Sequence, residues 1–317
     1  MSLGAIVTLG ELLVEIMRPE RGIPLWASGP FVGPLASGAP AIFAHAAGRL
    51  GAPSRLVGTC GADAFGDVIV AKLEQAGVDV ASIRRVAGQT TGTAFVAYRD
   101  DGERDFVFHA RHSAAAALEP ADVTAATLDD ADWLHVTGTT LPLGDSVREA
   151  CYRAVRLAAE RGGVTISFDP NLRPELISPA AARELCAPVL EHAHVVLPSG
   201  EEARLLTGAE TVEAACEALL TGGADTVILK RGAAGCTVVD ASGSQQVPSL
   251  RVEEIDPTGA GDTFSAAFAV ARRRGDSVHA AARFAAVAAA LSVTAFGPME
   301  GAPGLDDVER ALQRMDA

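Results

Sequence analysis

The sequence predicts an α/β fold: a mostly parallel central sheet covered by helices on both faces, with a small β lid beside it. Three observations lead there. Short apolar runs alternate with Ala- and Leu-rich runs for most of the 317 residues, which is long enough for one large domain with a well-filled core. Apolar residues make up 49% of the chain but aromatics only 5%, a composition suited to layered helices and strands. Two stretches break the rhythm and read as antiparallel strand pairs.

Taken in order, the runs at 5–9, 55–58, 133–137, 164–168, 194–197 and 226–230 read as buried strands. Helices are expected at 39–50, 65–76, 145–160, 180–190, 199–206 and 212–220. This alternation is that of a parallel sheet with crossover helices. The irregular stretches, about 11–33 and 90–110, include the polar turn Asp100-Asp101-Gly102-Glu103 and are expected to form the lid. No linker or repeat divides the chain, so 1–317 is expected to be a single domain.

The formal net charge is -14, which disfavours nucleic acid and anionic membrane surfaces as partners. The five cysteines (Cys60, Cys151, Cys186, Cys216 and Cys236) are scattered and odd in number, so they are expected to be reduced. The opening residues enter a strand without a basic region and a long apolar stretch, so no signal peptide is expected. The 284–296 run is too short to span a bilayer. A cytoplasmic protein is the expectation. His192 and His194 lie two apart without a third ligand nearby, and no metal role follows.

In open α/β sheets, ligands gather beyond the carboxyl ends of the strands, where helix N-termini point. The most informative turn there is Asp256-Pro257-Thr258-Gly259-Ala260-Gly261-Asp262-Thr263-Phe264, ahead of a helix-forming run from 265 to 274. Gly259 and Gly261 let a ligand approach the main chain. The first amides of the following helix have no internal partners and carry partial positive charge, which makes an anion hole. Asp262, beside that hole, suits a base that takes a proton from an attacking alcohol. Alone, Gly-Ala-Gly-Asp reads equally as a turn with an N-cap aspartate.

The longer string resembles the C-terminal signature of the PfkB, or ribokinase-like, carbohydrate kinases. Four further motifs follow that family in order. They are Gly38-Ala39-Pro40-Ala41 through Gly51 with Val57 to Gly66, Phe168-Asp169-Pro170-Asn171-Leu172-Arg173-Pro174, Pro198 to Ala203, and Leu229-Lys230-Arg231-Gly232 to Gly235. The resemblance implies a ribokinase-like three-layer fold, ATP with Mg²⁺ as the donor system, and a homodimer paired through the lids. It implies Asp262 as the base and Gly259, Ala260 and Gly261 as the anion hole. Gly38, Ala39, Arg111, Arg173 and Asp262 would meet the substrate. Asn171, Lys230, Gly232, Gly235, Thr258, Gly259 and Gly261 would meet the nucleotide, and Glu202 would place the metal through water. Ile42 and Ser199 depart from the asparagines common at those positions.

Gly10-Glu11, the 168–173 motif and Arg111-His112-Ser113-Ala114-Ala115 are most similar to the branch of 2-keto-3-deoxygluconate kinases and fructokinases. The 34–43 run also resembles tagatose kinases. Arg111 could hold the carboxylate of a keto acid, since arginine pairs bidentately with carboxylates. The expected function is therefore ATP-dependent phosphorylation of a hydroxyl of a small sugar or sugar acid, 2-keto-3-deoxygluconate or a ketohexose. A nucleoside kinase of the same fold and a non-catalytic sugar-binding regulator are the alternatives. The Gly-x-Gly-x-x-Gly dinucleotide fingerprint after the first strand and a P-loop are both absent.

Overall fold

The computed structural model describes residues 4–172 and 177–315. Its strands in chain order are β1 (Ala5–Glu11), β2 (Leu13–Met17), β3 (Val32–Ser37), β4 (Ser54–Gly61), β5 (Val78–Asp79), β6 (Ile83–Val86) and β7 (Gly92–Tyr98). Then come β8 (Arg104–His109), β9 (Ala131–Thr137), β10 (Thr165–Asp169), β11 (Val195–Val196), β12 (Thr226–Lys230), β13 (Cys236–Asp240) and β14 (Gly243–Val247). The helices are α1 (Ala39–Arg49), α2 (Ala64–Gln75), α3 (Ala125–Leu128), α4 (Asp145–Arg161) and α5 (Pro179–Leu190). They continue with α6 (Gly200–Thr207), α7 (Val212–Thr221), α8 (Ala260–Arg273), α9 (Val278–Ser292) and α10 (Leu305–Met315).

The larger sheet has ten strands in the order β14-β13-β12-β11-β10-β9-β1-β4-β5, with β6 also on β4. From β12 to β5 every pairing is parallel. Both faces are buried because side chains alternate along each strand. Val7, Leu9, Leu134 and Val136 enter one core with α4, α5, α6 and α7. Ile6 and Trp133 enter the other, under α1, α8, α9 and α10. This is the expected three-layer α/β architecture. None of the described helices is long and apolar enough to cross a membrane.

Two details differ from the sequence reading. The chain after β12 folds back as an antiparallel edge, β13 and the polar β14, which the sequence reading passed over. The irregular stretches form the expected small sheet, β3-β2-β7-β8, with β2–β3 and β7–β8 antiparallel, but the two pairs are joined in parallel. Its centre is the parallel pair β2–β7, and β3 runs on to Ser37, beyond the expected limit. The Asp100–Glu103 turn does join β7 to β8, closed by the Arg99 amide donating to the Glu103 carbonyl at 2.8 Å.

Candidate active site

The turn before α8 is held from below and from the side. Asp256 is fully buried, and its carboxylate accepts from the amides of Gly297 at 2.8 Å and Thr258 at 2.9 Å. The Tyr98 hydroxyl on β7 donates to the same carboxylate and lies 2.8 Å from the Thr258 hydroxyl. Gly259 caps α8 in the left-handed region, at φ 78. A Cβ there would stand 2.5 Å from the Pro298 carbonyl, so only glycine fits. The helix therefore begins at Ala260, five residues earlier than the run of helix formers. Asp262 lies in its first turn, buried, with its carboxylate accepting from the Asn171 side-chain amide at 3.1 Å.

Two cavities meet along this turn. The first is polar and is lined by Glu11, Glu15, Ser37, Gly38, Ala39, Ile42, Arg104, Thr139, Asn171, Thr258, Gly259 and Asp262, with Phe106 and Phe108 from β8. The second is more apolar and is lined by Lys230, Gly232, Gly235, Leu250, Arg251, Pro257, Ala260, Gly261, Phe264 and residues of α9. Its volume of about 390 Å³ lies in the range of small-molecule and cofactor sites. Thus 258, 259 and 262 face one cavity and 257, 260 and 261 the other.

The polar cavity is acidic. Glu15 accepts from the Ser37 hydroxyl at 2.7 Å, and Glu11 accepts from the Thr140 hydroxyl. Burial pushes the Glu11 carboxyl above its ordinary range, against the pull of the Thr140 and Thr139 hydroxyls. Arg104 is the cation among the described residues lining the cavity, and its guanidinium reaches the Thr258 hydroxyl at 3.4 Å.

On the other side, Lys230 donates to Asp169 at 2.5 Å, and Ser265 of α8 donates to the same oxygen at 3.0 Å. Burial opposes the charged ammonium. The carboxylates of Asp169, Glu202 and Asp262 together outweigh it and hold the Lys230 pKa above the usual value. Gly235, at φ 89, is needed for packing, because a Cβ would lie 2.1 Å from the Val247 carbonyl on β14. Glu202 forms a capping box with Ser199 at the head of α6. One of its oxygens accepts from the Leu172 amide and the other from the Ser199 amide, each at 2.7 Å. No cluster of three or more metal-ligating side chains occurs among the described residues.

The structure thus brings together Gly38, Ala39, Asn171, Thr258, Gly259 and Asp262 on one side, and Lys230, Gly232, Gly235, Ala260 and Gly261 on the other. Asn171 and Thr258, expected beside the nucleotide, line the polar cavity. Arg111 is exposed and lies in a neighbouring cleft with His109 and His112, outside the polar cavity's lining. Arg173 falls outside the described residues. His194 serves the backbone, its Nδ1 accepting from the Ile166 amide at 3.0 Å. The sequence reading noted Glu11 only as part of a branch motif, and it missed Glu15, Arg104 and Thr139. A carboxylate inside the apolar run of β2 was a signal for Glu15; nothing local marked Arg104.

The family model described as pfkB family carbohydrate kinase matches residues 31–304. A 2-dehydro-3-deoxygluconokinase of Thermoproteus tenax is 32% identical over 315 residues, covering 98% of this chain and 95% of that one. Fructokinase-1 of Oryza sativa subsp. japonica is 34% identical over 272 residues, covering 82% and 80%. Among solved structures, a provisionally named ribokinase II from E. coli in complex with ATP and Mg²⁺ superposes with a TM-score of 0.92. It shares 38% identity and covers 98% of this chain and 100% of that one.

Proposed function

The chain belongs to the pfkB family of carbohydrate kinases, and from that premise we propose how its two cavities divide the work of a sugar kinase. The observation that carries the proposal is that the Gly259–Gly261 turn lines both cavities, with Asp262 on the polar side. The sugar occupies the acidic cavity and ATP the cleft below α9. The sugar's hydroxyl oxygen attacks the γ-phosphorus, and the bond from that phosphorus to the oxygen bridging it to the β-phosphorus breaks. The hydroxyl proton passes to the Asp262 carboxylate, and ADP leaves with the bridging oxygen. The amides of the first turn of α8 face the transferring group, where unpaired helix N–H groups and the helix dipole favour negative charge. Asn171 orients Asp262.

Magnesium fits as an ion that arrives with the nucleotide and keeps most of its waters. Each Glu202 oxygen spends one lone pair on a backbone amide, which leaves capacity to hold such a water. Bound there, the ion would neutralise phosphate charge.

The substrate we propose is a ketohexose or 2-keto-3-deoxygluconate, as the names of the relatives suggest. Glu11, Glu15 and Asp262 outnumber Arg104 among the described lining residues, which favours the neutral ketohexose. The four-stranded sheet acts as the lid of a single domain, since β2, β3 and β8 supply one side of the polar cavity. Its exposed apolar residues Phe31, Val32 and Val107 suit pairing with a second copy. Five buried thiols suit a reducing compartment such as the cytoplasm.

The test is ADP release from MgATP with 2-keto-3-deoxygluconate, fructose, tagatose, ribose, adenosine and inosine. Strong turnover with one sugar is expected. Turnover with a nucleoside alone would establish a nucleoside kinase instead, and silence with ATP bound would point to a binding protein.

A further inference from the structure

We infer that Asp169 is a positioning residue for phosphoryl transfer: it fixes the Lys230 ammonium in the wall of the second cavity, beside Gly261 at the start of α8, facing the space where the transferred group passes. This rests on the division of labour proposed above.

The argument begins with reach. Lys230 ends β12 and Asp169 ends β10, with β11 between them in the sheet, so the lysine side chain crosses the end of a strand to make its bond. The acceptor oxygen is shared with Ser265, which lies one helical turn beyond Asp262 on α8. One oxygen of Asp169 thus ties two strand ends to the helix that carries the base.

Electrostatics gives the pair its purpose. An ammonium beside a helix N-terminus adds positive charge to positive charge, which is unfavourable in an empty site and favourable when an anion is present. Asp169, fully buried, offsets that cost until the anion arrives. The ammonium faces the start of α8, for the Cβ position of Gly261 lies 3.5 Å from the Lys230 nitrogen, an ordinary contact distance. Of the three donors on the ammonium, one goes to Asp169, and no other acceptor engages it among the described residues. The second Asp169 oxygen is buried without a hydrogen-bond partner among the described residues. A pair kept only for stability would be expected to satisfy both oxygens, since an orphaned buried oxygen is costly.

The test is a double-variant cycle with Asp169→Asn and Lys230→Met in the full chain, read in turnover with the preferred sugar and in MgADP affinity by calorimetry. If Asp169 acts through Lys230, Asp169→Asn lowers kcat by roughly tenfold or more, and the double variant is no worse than Lys230→Met alone. The sugar KM changes less than about twofold, because the pair lies outside the sugar cavity. Losses that simply multiply, or wild-type turnover in Asp169→Asn, overturn the inference. If Asp169→Asn does not fold, Ser265→Ala loosens the same oxygen. Its loss of turnover should vanish in the Lys230→Met background, and persistence of that loss overturns the inference. Wild-type protein that turns over no sugar defeats the kinase reading separately. The MgADP cycle still decides the positioning role, with multiplying losses of affinity counting against it.

Discussion

The side-chain amide of Asn171 lies 3.1 Å from the carboxylate of Asp262, a contact between residues 91 apart in the chain. It fixes the carboxylate on the polar-cavity side of the turn that separates the two cavities.

Asp262→Asn removes the proton acceptor while preserving shape. It should lower kcat by roughly 10²–10⁴, about 3–5 kcal/mol of barrier, with MgADP affinity unchanged. Steady-state kinetics with calorimetry checks this, and undiminished turnover would remove Asp262 from the base role. Asn171→Ala should lower kcat by about tenfold through loss of orientation.

The two arginines of the β8 region should separate. Arg104→Ala, inside the polar cavity, is expected to raise the sugar KM by roughly tenfold, while Arg111→Ala, outside its lining, raises it less. A larger effect at Arg111 with a keto acid than with a neutral ketose would restore the carboxylate role to that residue. Saturation curves for both variants with both substrate types decide the matter.

Tyr98 joins the small sheet to the turn before α8 through Asp256 and Thr258. Tyr98→Phe leaves a buried carboxylate short of a donor and should cost about 1–3 kcal/mol of stability. The urea midpoint should fall at unchanged m-value. Turnover should fall with it, since the same bonds place Gly259. An unchanged midpoint would mean that the hydroxyl contributes nothing.

Stability should fall on the acid side. His135 is fully buried, stacked on Phe43 with ring centroids 3.9 Å apart, and burial lowers its pKa to about 3. His45 is lowered to about 3 as well, by burial first and then by Lys72 and Arg49. Both are neutral in the folded state and take up protons near pH 6.5 when unfolded. Each therefore stabilises the fold above that pH and loses its contribution as pH falls from 6.5 towards 3, at about 1.4 kcal/mol per pH unit. His135→Gln should flatten the decline between pH 6.5 and 4.5 by about that slope. Denaturant titrations at several pH values test it, and parallel curves would exclude the titration. The raised Glu11 and Asp169 pKa values act in the opposite sense, gaining stability as pH falls, and they cancel in the comparison of variant with wild type.

Much of the layout was legible in the chain. The strand runs of β1, β9 and β10 were visible because both faces of a parallel sheet are buried, leaving near-continuous apolar stretches. The hairpin β13–β14 was not, because Gly243–Val247 is a polar, largely exposed edge strand with no apolar alternation to read. The turn from Asp256 to Asp262 was legible because its glycines and its carboxylate are needed in fixed order at a helix start.

The sequence by itself determined the layered α/β class, the helix start around Gly259 to Asp262 and the motifs of the family to which the chain belongs. Those are local properties: side-chain period, backbone freedom and helix polarity act over a few neighbouring residues. Only the tertiary structure decided that Arg104 rather than Arg111 lines the polar cavity, and that Asn171 and Thr258 line it too. It also decided that Lys230 meets Asp169 across a separation of 61 residues and Tyr98 meets Asp256 across 158. Pairings of that kind arise when packing brings distant strand ends together, and no window of sequence contains both partners.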